Sequence, residues 1–296
     1  MESSNETGDF PPGIVIVALI ALSLWLYTAD FTVTPQHKNG QTPETAQNEP
    51  TGEVLVIPLA LGNLGLRMIE AGVIDRQAFE AVYRERGGLT AEEKELLIGE
   101  TNDRIIIHQN NAGFLLNFLW VFGVSNKNPI LEQGPMADPR YGGPDRFAST
   151  GGWTLAEGNI MNHYSAHAFV PLTKEQQALV ERVSKNIYRP CCDNAAYFPD
   201  CNHGMAMLGL LELLAAGNAS EQTMYKVALR LNAFWFPEQY RTIAEYLKGS
   251  GQDIETADPK AVLGRDYSSA SGYRAVLQAV STRAPNTGVN CDVGGR

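Results

Sequence analysis

Residues 13–27 read GIVIVALIALSLWLY, a stretch without one charged side chain. Such a run must leave water, either into a core or into a bilayer, and so it constrains the fold before any other feature does. At about 1.5 Å per residue it covers most of a hydrocarbon layer of roughly 30 Å. Extension to Val33 completes a span, with Asp30 near one interface and Trp25 and Tyr27 where an aromatic belt lies. A secretory signal peptide would need a basic segment ahead of the run and small residues at a cleavage site. Here Glu2, Glu6 and Asp9 precede it, and TADFTVTPQ follows without a clear cleavage pattern. A core helix does not ordinarily stand between two polar, patternless flanks.

The expectation is therefore a single-pass membrane anchor at 13–33, behind an acidic tail at 1–12 and ahead of a polar linker at 34–53. The only cation near the run is Lys38, so the positive-inside rule has almost nothing to count. The linker, rich in Pro, Thr, Gln and Asn, reads as a spacer that holds a body off the membrane surface, which favours an extracytoplasmic body.

From residue 54 to 296 the pattern is that of a predominantly helical domain. Asp75 can cap a helix, and Thr90-x-x-Glu93 and Thr173-x-x-Gln176 are capping boxes. Leu179, Val183 and Ile187 form one helical stripe, as do Tyr240, Ile243, Ala244 and Leu247. The twelve-residue apolar run from Gly113 is too short for a second span and interrupted by Asn117, which suits a core helix. No alternating β-pattern of any length is present, beyond a short extended start near residue 54. Residues 125–162 alternate Pro and Gly without periodicity and read as a long loop, of the kind that is functional or disordered. The fold class is thus mainly α: one transmembrane helix, then one helical domain carrying a long Gly/Pro-rich loop.

Charge narrows the partners. The net charge of −10 leaves no surplus of Lys and Arg to neutralise phosphates, which argues against nucleic acid. Walker, G-x-S-x-G, H-E-x-x-H and dinucleotide-binding patterns are absent.

Chemistry concentrates in one stretch. Three of the four cysteines, Cys191, Cys192 and Cys201, fall within eleven residues, followed by His203 and Met205. Thiolate, imidazole and thioether are the ligands of copper, zinc and iron centres. If Asp200 caps the helix that follows, Cys201 sits in its first turn, where unpaired N–H groups and the helix dipole favour a thiolate. On that helix His203 projects to a different side from Cys201, and Met205 to the same side.

The spacing matches no common zinc-finger, haem or thioredoxin pattern, so other readings stay open. Cysteine and Met are also ordinary core residues. An oxidising compartment could instead link Cys191 and Cys192 separately to Cys201 and Cys291. His163-x3-His167, at i, i+4, would put two imidazoles on one helical face as further metal ligands. His108 reads as a hydrogen-bonded core histidine.

Three functional readings follow. The first is a membrane-anchored helical protein whose Cys191, Cys192, Cys201 and His203, with Met205, His163 and His167 as additions, bind a soft or borderline metal (copper, zinc or iron) for metal handling or redox. The second is a thiol enzyme or sensor reacting at Cys201. The third is a non-catalytic anchored scaffold with structural disulfides.

Overall fold

The computed structural model describes residues 54–283 except 58, 60 and 100–103. The tail, anchor and linker expected at 1–53 lie outside the described residues, as does Cys291. The described chain is mainly helical. No helix among the described residues is long and apolar enough to cross a membrane.

The chain opens with a short strand, β1 (Leu55–Ile57), then α1 (Leu64–Glu70), α2 (Arg76–Ala81) and α3 (Ala91–Ile98). Strand β2 (Ile105–Ile107) returns antiparallel to β1, with Leu55 opposite Ile107. This two-stranded ribbon closes a small helical lobe, and Ile105–Ile107 is a strand that its lack of alternation did not announce. The caps are as expected. Asp75 Oδ1 accepts from Ala78 N at 3.0 Å, and Thr90 and Glu93 complete their capping box. The buried Glu93 carboxylate also takes Arg86 Nη2 at 2.6 Å, which keeps a charged cap residue paired inside the fold.

Next come α4 (Ala112–Ser125) and α5 (Pro129–Gln133), then α6 (Lys174–Ser184), α7 (Asn202–Ala216), α8 (Glu221–Trp235) and α9 (Pro237–Lys248). The short α10 (Pro259–Val262) and α11 (Arg265–Ser268) lead into α12 (Ala270–Arg283). Helices α4 and α7 form the centre. Both are apolar nearly all round, which requires neighbours on every side. Helix α7 packs against α4, α6 and α8, with Met205 to Leu211 buried without interruption.

Two glycines set the α4–α7 crossing. A Cβ on Gly209 would lie 2.6 Å from Leu119 O, and one on Gly123 only 2.3 Å from Met205 O. Backbone meets backbone there, so no side chain can swing away. We expect Gly209→Ala to lower stability in urea unfolding by about 1–3 kcal/mol, because the central helices must separate to admit one methyl group. An unchanged midpoint would mean that the crossing tolerates more space than its geometry allows.

The stretch 125–162 departs from a patternless loop. It begins with the end of α4 and with α5, capped by Asn128, whose Oδ1 accepts from Ile130 N at 2.9 Å. It continues through 3₁₀ turns at Pro135–Ala137, Pro139–Tyr141, Pro144–Arg146 and Ile160–Asn162. Proline leads three of these because its fixed φ and missing N–H suit a first helical position. Met136, Trp153 and Ile160 are buried, and Trp120 Nε1 donates to Ser149 O at 2.6 Å. The segment is a series of short turns pinned by these few buried side chains, with residues 137–148 at or near the surface.

Candidate metal and thiol site

The site is built on the return from α6 to α7. After the buried Ile187, the chain makes a tight turn over Arg189–Cys192, closed by Cys192 N donating to Arg189 O at 3.3 Å. Pro190 and Cys191 stand at its tip, and Cys191 is exposed. The far side of the turn is anchored to the start of α12. Ala270 N donates to Cys192 O at 2.9 Å, and Ser271 N to Asp193 Oδ1 at 2.7 Å.

Arg189 is the centre. Its side chain is fully buried, and its guanidinium meets four acceptors: Cys201 Sγ from Nε at 3.3 Å, Asn194 O from Nη1 at 2.7 Å, and Asp200 Oδ1 (2.8 Å) and Phe198 O (3.4 Å) from Nη2. This planar fork fixes the loop around itself. It has room only because residue 204 is glycine. A Cβ there would lie 2.2 Å from Arg189 Nη2.

The helix cap differs from the expected one. Asp200 is not the N-cap of α7. Its carboxylate is drawn to Arg189 and to Asn194 Nδ2 at 2.8 Å, and Cys201 takes the cap position. Cys201 Sγ accepts from Gly204 N at 3.4 Å. Cys201 therefore precedes the first turn instead of lying in it, and the side assignments drawn from a helical Cys201 lapse. His203 comes back beside the thiols: Cys191 Sγ, Cys201 Sγ and a His203 ring nitrogen all lie within 4.8 Å of one another. The His203 ring is held against Phe236 and Trp235, at centroid distances of 4.6 and 5.6 Å. A second set, Cys192, Asp200 and Cys201, meets the same limit.

The sulfurs are close but unbonded. Cys191 Sγ lies 3.6 Å from Cys201 Sγ, and all three described cysteines are free. Negative charge gathers on Cys201, whose thiol is pushed well below its ordinary range. Hydrogen bonds from Cys191 and Cys192 contribute most, and His203 and the Arg189 charge add to them against burial. Cys191 is driven upward by the same bonds, to Cys192 and to Cys201, and by burial. For Cys192 the bond with Cys191 pulls downward, but the bond with Cys201 and burial prevail and leave it at about 11.

Other candidates are placed apart from this constellation. Met205 is fully buried within α7. The His163–His167 stretch is not a helix: a 3₁₀ turn ends at Asn162 and Ser165 has a left-handed φ of 50°. The turn nevertheless brings His163 Nδ1 to 2.9 Å from His167 Nε2, with the rings stacked. Burial, and then its neighbour His163, holds His167 below its usual value. No third His, Cys, Asp or Glu among the described residues joins that pair into a three-ligand set. His108 bonds Glu92 through Nε2 at 3.3 Å, as a packing residue does.

No protein-family model matches the chain, and no curated protein or solved structure matches it. The site therefore has to be read from its own chemistry. Sequence reasoning missed Arg189 as the organising cation and Asp200 as a candidate ligand. The signals were present in Arg189-Pro-Cys-Cys and in the glycine directly after His203.

Proposed function

We propose that this chain is a membrane-anchored helical protein that binds a soft or borderline transition metal through Cys191, Cys192, Cys201 and His203. Asp200 is a further oxygen donor. The observation that carries the reading is the sharing of Cys201 Sγ between two three-ligand sets. A second support is the Cys191–Cys201 separation of 3.6 Å. Metal–sulfur bonds of about 2.3 Å in a tetrahedron place two sulfurs roughly 3.8 Å apart, so these thiols stand near ligand spacing. Buried Arg189 offsets the negative charge that several thiolates would bring.

Cysteine and imidazole together suit copper, zinc or iron, and the role is metal handling or metal-dependent redox. The uncharged apolar run at 13–27 supports an anchor at 13–33, and the polar linker at 34–53 supports a body held on the extracytoplasmic face. The body is one helical domain spanning 54–296, and its acidity gives it no affinity for nucleic acid.

Metal content of the full-length chain, purified in detergent without chelator, tests this. We expect about one metal ion per chain, and a near-complete loss in Cys201→Ser, which removes the ligand common to both sets. Equal metal in the two proteins, or none in either, overturns the reading.

A further inference from the structure

We propose that Cys191 and Cys201 form a thiol–disulfide couple that closes and opens the metal site, an inference that rests on the metal-binding reading. Every three-ligand set found among the described residues includes Cys201. Locking its sulfur into a disulfide therefore leaves Cys192, Asp200 and His203 without a complete set. One covalent event at one atom dismantles the whole site.

The geometry selects Cys191 as the partner. Its Sγ is 3.6 Å from Cys201 Sγ, and a bond length of about 2.05 Å requires an approach of about 1.5 Å. Cys191 stands exposed at the tip of the Arg189–Cys192 turn. Cys192 is held in place, its carbonyl by Ala270 N and its thiol directed to Asp200 Oδ1 and Asn194 O at 3.7 and 3.9 Å. A Cys191–Cys192 bond would have to close between adjacent residues.

Reversibility has a structural basis too. After oxidation Arg189 can lose its bond to the Cys201 sulfur but keeps Asp200, Asn194 O and Phe198 O. The loop frame persists, so reduction returns the ligands to their places.

The oxidant is a low-molecular-weight disulfide, RSSR. The exposed Cys191, as its thiolate, attacks one of the RSSR sulfurs, breaking the S–S bond, forming Cys191–S–S–R and expelling one thiolate RS⁻. Cys201, freed from the metal as a thiolate, then attacks Cys191 Sγ. This forms the Cys191–Cys201 bond and expels the second RS⁻. Two electrons pass from the cysteine pair to RSSR, which leaves as two thiols, and the metal departs as the ion.

The test uses the full-length chain in detergent, loaded with Zn²⁺ and treated with glutathione disulfide. Zn²⁺ release is followed with a chromophoric chelator, and the cross-link is located by non-reducing peptide mass mapping. We expect about one Zn²⁺ released per Cys191–Cys201 disulfide, and recovery of binding after reduction by a phosphine. Cys191→Ser should form no intramolecular link. If Zn²⁺ stays bound and no Cys191–Cys201 link forms, the couple is overturned while the metal reading stands. A dominant link to Cys192 overturns it equally. If the link forms and reverses in a chain that never binds metal, the metal reading fails and the couple remains as a bare redox pair.

Discussion

Relative to Glu212→Gln, the protein is expected to lose roughly 4 kcal/mol of stability between pH 4.5 and pH 8. Glu212 lies fully buried on α7. Asn126 Nδ2 and Asn128 Nδ2 each donate to it at 2.5 Å. The orientation of both amides is fixed, because Val170 N donates to Asn126 Oδ1 and Ile130 N to Asn128 Oδ1. Burial raises the carboxyl from 4.5 to about 8, and the two amide bonds only partly oppose it.

The sign follows from these values. Below pH 4.5 the group is protonated folded and unfolded, so it carries no penalty. Between 4.5 and 8 the unfolded chain ionises while the folded chain does not, and stability falls by about 1.4 kcal/mol per unit. Above 8 both states are ionised and the loss is complete. Glutamine cannot ionise, so its profile across this window is flat, at a level lowered by a pH-independent amount because its NH2 must face one of the two Asn NH2 donors. Urea unfolding of both proteins at pH 4.5, 6 and 8 gives the difference, which cancels every other titrating group. Parallel profiles would show that Glu212 does not hold its proton when folded.

Local interactions were legible in the sequence, and remote ones were not. The capping boxes at Thr90–Glu93 and Thr173–Gln176 involve partners three residues apart, so spacing alone reveals them. The stretch 125–162 is ordered by partners far along the chain, such as Trp120 with Ser149 and Ser149 N with Asp200 O, and no local period reports such bonds. The site divides the same way. Residue types marked Cys191, Cys192, Cys201 and His203 as chemical. Their arrangement depends on Arg189 drawing the Asp200 carboxylate away from the helix end, which hands the cap to Cys201. The His163–His167 pair met for a reason other than the expected helix, because a turn through Ser165 also brings the rings together.

Arg189→Met should lower stability by about 3–5 kcal/mol, measured by urea unfolding of the metal-free protein so that lost metal binding does not enter. Methionine fills much of the volume but donates nothing. Asn194 O and Phe198 O lose their donor, and Asp200 keeps only Asn194 Nδ2 and the long contact from the Cys192 thiol. Cys201 Sγ would lose its bond from Arg189 Nε as well. Arg189→Lys keeps the charge but cannot reach four acceptors from one ammonium, so most of the loss should remain. Gly204→Ala attacks the same contact from the other side, since its Cβ would lie 2.2 Å from a guanidinium that its bonds hold fast. If the guanidinium organises the loop, Gly204→Ala should cost much less in an Arg189→Met background than alone, because the group it displaces is already gone. Additive losses would mean that Gly204 and Arg189 act independently, and that something other than the buried cation holds Cys201 at the head of α7.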